Sequence, residues 1–135
     1  MTTHTCPTCQ QTLPMSTVDV IDVAAAVKAD ALTADDPFKR TYLGHGVSSS
    51  VFVFQGHAGP FKKHIHVTHD EIGYVLKGSG SVTVGDTTRP VKPGDVWVIP
   101  SNTPHSGEFE GPCEVLFISS PIDDPDNPDR IWLDD

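Results

Sequence analysis

From residue 38 onward the chain is cut into short runs rich in Val, Ile, Phe and Tyr, separated at close intervals by Gly, Pro, Asn and Asp. That cadence predicts strands over 38–43, 48–55, 61–67, 71–77, 80–84, 87–91, 95–99, 105–110 and 113–119. Turn clusters fall between them: His57-Ala58-Gly59-Pro60, Gly78-Ser79-Gly80, Gly85-Asp86, Pro93-Gly94-Asp95 and Ser101-Asn102. That pattern favours an all-β sandwich or barrel over βαβ units. Ser81 to Pro90 reads as a hairpin with Gly85-Asp86 at its tip.

Before residue 38 the texture differs. Residues 1–16 carry no period and read as a flexible arm or an edge segment. Val18 to Val23 suggests a short strand, and the alanine-rich Ala24 to Ala31 about two helical turns. Asp35, Asp36 and Pro37 end that segment. Residues 17–120 are expected to form one barrel domain, and 121–135 an acidic tail.

The chain has 135 residues and a net charge of −9. Such a balance argues against a nucleic-acid partner, which calls for a basic face. Six aspartates fall in the last thirteen residues, opposed only by Arg130, and read as a solvated tail. No apolar run approaches the roughly 20 residues of a membrane span, and the N-terminus shows no secretory apolar stretch. Three cysteines make no disulfide framework, which places the protein in a reducing cytoplasm.

The segment Gly59-Pro-Phe-Lys-Lys-His-Ile-His-Val-Thr-His-Asp-Glu carries the chemistry. On a strand, residues two apart share a face, so His64 and His66 point the same way. Glu71 opens the next apolar run, a costly place for an unpaired carboxylate. His105 follows a Pro-bounded turn and opens a later strand able to reach back across a barrel. An ion among three imidazoles and a carboxylate would offset the desolvation of all four, and such a set suits Fe, Mn, Ni, Zn or Cu.

These residues resemble the two motifs of the cupin family. The first runs Gly59, His64-Ile65-His66, Glu71 and Gly78, with one residue fewer than usual between Gly59 and His64. The second runs Gly94, Pro100 and His105, with Asn102 where the family has Gly and Phe109 where it has Asn. Asn tolerates positive φ better than other non-glycine residues, so the turn can survive. The resemblance covers residues 45–120, with motifs at 59–78 and 94–109. It implies a double-stranded β-helix barrel, to which the alanine-rich segment would add a short helix near the N-terminus, a homodimer, and His64, His66, Glu71 and His105 as ligands of one divalent metal, Fe or Mn favoured. It does not imply one reaction, since one fold hosts many chemistries.

Other residues invite roles. Period two from His64 puts Lys62 inward, where it would hold an anionic substrate or intermediate; a strand-start lysine reaching to solvent is the alternative. Phe52, Phe54 and Trp97 are expected in the core, with one or two lining the pocket. Tyr74, opposite Glu71 by alternation, is expected in core or interface packing. His69 reads as a solvated loop residue rather than a fifth ligand, and Asp70 is the carboxylate only if a shorter spacing applies. Cys6-Pro-Thr-Cys9 has the spacing of half a zinc knuckle, completed by His4 or another subunit, or else is an unmetallated arm. Cys113 reads as a small buried hydrophobe. Three activities remain: an Fe(II) or Mn(II) dioxygenase-type oxidoreductase acting on a small molecule; a metal-dependent isomerase, lyase or decarboxylase; and a non-catalytic ligand-binding module.

Overall fold

The computed structural model describes residues 3–5, 12–14, 20–124 and 126–134. Two five-stranded sheets face each other, every strand pair antiparallel. One sheet holds β3 (Phe38–His45), β4 (Ser50–Gly56), β11 (Cys113–Ser120), β6 (Asp70–Lys77) and β9 (Val96–Ile99), paired in that order. The other holds β12 (Ile131–Trp132), β5 (Gly59–Ile65), β10 (His105–Phe109), β7 (Gly80–Val84) and β8 (Thr87–Val91). Nine of these strands follow the predicted ones to within a few residues. Two further strands, β1 (Thr3–Thr5) and β2 (Thr12–Pro14), pair only with each other, so part of the expected arm is a ribbon. Cys6 and Cys9 lie outside the described residues.

Helix α1 spans Val23–Ala29, with Asp22 as its N-cap accepting from the Ala25 amide. Val18 and Asp19 lie outside the described residues; in the rest of the expected strand, residues 20–22 are not strand and Val23 opens the helix, which corrects that expectation there. Asp22 caps a helix there instead of continuing a ladder. The segment after α1 is fastened to the sheet: Asp30 accepts from Lys39 and Thr41, and Gln55 bridges the Asp30 carbonyl and the Leu32 amide.

Between the sheets Phe54, Val75, Val82, Val91, Phe109, Cys113 and Val115 form the core, with Phe52, Phe61, Trp97 and Phe117 packed against it. Their rings meet at offset and edge-on angles, as between Phe54 and Phe61 at 4.7 Å and Phe61 and Phe109 at 6.1 Å. Cys113 is buried, which pushes its thiol up to about 11. Tyr74 points outward beside Val96 and Val98, all three exposed, so it is not a core residue. Phe109, at the motif's usual Asn, is 3% exposed and fills the core. Asn102 takes φ 62°, the one positive φ at a non-glycine among the described residues, and its amide donates to the His66 carbonyl. The departure from Gly therefore preserves the turn that joins the two motifs.

The C-terminal run is not a solvated tail. Asp123 is 7% exposed; its backbone amide donates to Ser50 Oγ, while one carboxylate oxygen accepts from Arg40 and the other from the Asp129 amide. Asp129 in turn accepts from the amides of Val67 and Thr68, the Thr68 hydroxyl and His69 Nδ1. β12 then adds to the edge of β5, with Trp132 opposite His64. No described helix is long and apolar enough to cross a membrane.

Candidate metal centre

His64 and His66 share a face, as alternation requires, with ring centroids 5.0 Å apart. β10 pairs with β5 so that His105 lies opposite His64, ring centroids 4.2 Å apart. Glu71 comes from the facing sheet, where Gly73 and Val75 follow it inward along β6. One ligand atom from each of His64, His66, Glu71 and His105 lies within 4.8 Å of all the others, so the four could hold a metal ion.

The orientation of the rings tests whether the residues suit an ion. Each imidazole turns Nδ1 to a backbone carbonyl: His64 to Lys62 at 2.7 Å, His66 to Asp129 at 2.6 Å, and His105 to Thr103 at 2.9 Å. A carbonyl only accepts, so each Nδ1 carries the proton and each Nε2 is free to face the cluster. His66 Nε2 lies 3.0 Å from Glu71 Oε1 and His105 Nε2 3.8 Å from it. The buried His105 Nε2 has no hydrogen-bond partner. A donor set of three convergent nitrogens and one carboxylate, one nitrogen orphaned, fits a divalent transition metal.

Electrostatics agree with this arrangement. Burial, helped by the His105 and His66 charges, pulls His64 down to about 4, so it is neutral near pH 7. Burial also opposes charge on His66, but the Glu71 hydrogen bond and charge outweigh it and raise its pKa. Burial would raise Glu71; the His105 and His66 imidazoles prevail and hold it far below the usual carboxylate range. Between His66 Nε2 and Glu71 Oε1 the available occupants are a proton and a metal ion.

Several residues around the site were misread or unseen in the sequence. Trp97 packs in the core as expected, but its indole Nε1–H also donates to Glu71 Oε2 at 3.1 Å. Gly73 makes this possible: a Cβ there would lie 2.2 Å from the indole. His69 is 3% exposed rather than solvated; it stacks on His66 at 4.3 Å and donates to Asp129. Its Nδ1 is thereby engaged, and it is not among the four clustered residues. Asp70 accepts from the Ser101 amide and anchors the second motif's turn. Lys62 is exposed. The pairing of β10 with β5 shifts between His105 opposite His64 and Gly107 opposite Phe61, so β5 carries an extra residue. That bulge breaks period two: Phe61 packs inward on Phe54 and Phe109, while Lys62 gives its carbonyl to His64 and borders the cavity from an exposed position. Asp129 and Trp132 had one hint in sequence, an Ile-Trp pair inside a run otherwise read as solvated.

Beside the cluster lies a cavity of about 420 Å³ reaching toward the Gly56–Pro60 turn. Phe52, Phe54 and Trp97 line it, as expected of at least some of them, with Phe117, Arg40 and Arg130. It is the kind of apolar enclosure, with few polar groups, that small molecules occupy.

Comparison with known proteins agrees with the architecture. An uncharacterised protein of Methanocaldococcus jannaschii is 42% identical over 60 residues, 43% of this chain; the match spans 48%, about half, of that relative's length. The structure of KdgF from Halomonas sp. superposes with a TM-score of 0.60 at 27% identity, covering 67% of this chain and 84% of that one. Pac13, described as a nucleoside dehydratase and recorded from Streptomyces, superposes with a TM-score of 0.61 at 19% identity, covering 72% of this chain and 78% of that one, a likeness of fold. The Cupin domain family matches residues 50–119, the stretch that supplies all four clustered residues, and the chain belongs to that family.

Proposed function

We propose that the chain is a mononuclear metal-dependent enzyme acting on a small organic molecule held in the barrel cavity, and that its chemistry is of the dioxygenase type. His64, His66, Glu71 and His105 would hold the ion, with Fe or Mn favoured. The observation that supports this reading is the common orientation of the three imidazoles, each with Nδ1 on a backbone carbonyl and Nε2 left for the cluster. Three neutral nitrogens and one carboxylate leave coordination positions open, which is what substrate and oxygen chemistry requires. When bound, Fe or Mn supplies one-electron chemistry together with Lewis acidity.

The chain's own part is positional. Trp97 fixes Glu71 Oε2 so that Oε1 faces the imidazoles. The C-terminal segment holds His66 through the Asp129 carbonyl and seats Trp132 edge-on against His64 at 5.3 Å. Phe52, Phe54 and Phe117 present an apolar wall that limits water around the reacting molecule. A second reading, a non-redox lyase, draws on the shared fold with a protein described as a dehydratase.

Elemental analysis of protein purified without added metal tests the proposal, followed by oxygen-electrode measurements with catechols, enediols and thiols. About one Fe or Mn per chain with substrate-dependent oxygen uptake is the expected result. One Zn or Ni with anaerobic turnover would transfer the assignment to the lyase reading. No metal after reconstitution would overturn both and leave a ligand-binding module.

A further inference from the structure

The chain carries a net charge of −9, yet the charged side chains lining its cavity beyond the four clustered residues are cationic. Arg40 and Arg130 come from opposite ends of the sequence, β3 and the segment before β12, and both line the same enclosure as the histidines. Each guanidinium lies on an aromatic face: Arg40 over Phe52 at 4.2 Å, Arg130 over Trp132 at 4.5 Å. Stacking holds the flat groups in place and leaves their N–H edges available. Arg40 spends one nitrogen on Asp123 at 3.1 Å. Arg130 forms no ion pair among the described residues. The two cations are close enough that burial and then the charge of Arg40 pull the Arg130 pKa down. Two like charges gathered at an apolar wall repel each other and lose hydration, a cost that an anion between them would offset.

We propose that Arg130, seconded by Arg40, forms the carboxylate-recognising end of the substrate pocket, so that the substrate is a small monocarboxylic acid with an apolar or aromatic body. Charge selects the class. Asp123 pairs with Arg40, and Lys62, which also borders the cavity, is exposed to water, so the half-buried charge left unpaired is that of Arg130, the complement of a monoanion rather than of a phosphate dianion. Shape selects the body: the cavity that the arginines share with the cluster is lined by the aromatic rings of Phe52, Phe54 and Phe117. Trp132 lies between Arg130 and His64, 5.3 Å from the imidazole, so an acid held by Arg130 would extend its body toward the cluster. The inference rests on the proposed function for its word "substrate", while the acid-binding site stands on the arginines alone.

The test uses full-length protein, stripped of metal by EDTA and dialysed, with tryptophan fluorescence as the readout. Both tryptophans of the chain, Trp97 and Trp132, line the cavity, so occupancy is read at the site. Acetate, hexanoate and benzoate are titrated, each beside its neutral amide, with inorganic phosphate as a further probe. At least one acid is expected to bind about tenfold or more tightly than its amide, the worth of a charge-assisted hydrogen bond. Arg130→Gln should erase that preference while leaving amide binding unchanged, and Arg130→Lys should restore part of it. Equal binding of every acid and its amide, the absence of any saturable change, or an unaltered preference in Arg130→Gln would overturn the proposal. Tighter binding of phosphate than of any acid would overturn the assignment to carboxylates. Acid preference that appears only after metal is added would place the anion on the ion rather than on Arg130. Metal-free protein that prefers acids, in a chain that never retains metal, would sink the proposed enzyme and keep this site; metal-loaded protein without the preference would do the reverse.

Discussion

Replacing Trp97 by Phe isolates one bond. The ring stays, so the packing against Phe117 at 6.0 Å is largely kept, while the indole N–H that donates to Glu71 Oε2 at 3.1 Å is removed. A hydrogen bond to an ionised acceptor contributes about 1.5–3 kcal/mol, and the metal-free variant should lose stability in that range. Metal affinity should fall less than this energy alone suggests, because the bond exists with and without the ion. What the loaded state loses is the fixed direction of Glu71 Oε1 toward the imidazoles, and partners at this distance from an ion are worth about 10–100-fold in affinity. We expect about tenfold weaker binding, measured by competition with a chromophoric chelator, alongside urea denaturation of both forms. Gly73→Ala supplies the independent check: its Cβ would lie 2.2 Å from the indole, so the ring must move, and metal affinity should fall although Trp97 is intact. Unchanged affinity in both variants would refute the reasoning and mean that the imidazoles alone orient the carboxylate.

The remaining predictions follow from neighbouring contacts. His66→Ala should abolish stoichiometric metal binding, read by elemental analysis, while circular dichroism still shows a folded β protein; Lys62→Ala should leave metal affinity unaltered, because only its carbonyl meets His64. In metal-free protein the raised pKa of His66 means that its pairing with Glu71 stabilises fully below pH 6.5 and fades as pH rises through the folded value. Metal needs the unprotonated nitrogen, so the gain in melting temperature on adding metal should grow from about pH 6 to about pH 8, and a flat profile would contradict His66 as a ligand. Asp129→Ala removes the acceptor for two amides, one hydroxyl and the buried His69, and should cost about 2–3 kcal/mol in denaturant unfolding. Its carboxyl is opposed by burial but held below 3.8 by the donors of Thr68 and Val67, so that stabilisation is present above pH 3.8 and lost as pH falls through the lowered value.

The strand cadence and the two motifs were legible in sequence because both are local. Side-chain alternation placed His64 and His66 on one face, and the spacing from His66 to Glu71 spans a single turn between strands. Asn102 was readable as a left-handed turn residue for the same reason: the demand and the residue that meets it sit at one position. Tertiary structure decided everything that depends on pairing register or on contacts distant in the chain. One extra residue in β5 puts Lys62 in an exposed position at the border of the cavity, which alternation could not show, because a bulge is a property of the pair β5–β10 and leaves no mark in either strand alone. His69 became buried because Asp129, sixty residues away, reaches back to it, and aspartates that composition assigns to solvent became anchors. Trp97 acquired its bond to Glu71 only when β9 was laid beside β6 with a glycine opposite the indole. Sequence periodicity records which face a residue occupies; which partner waits on that face is settled by the closing of the two sheets.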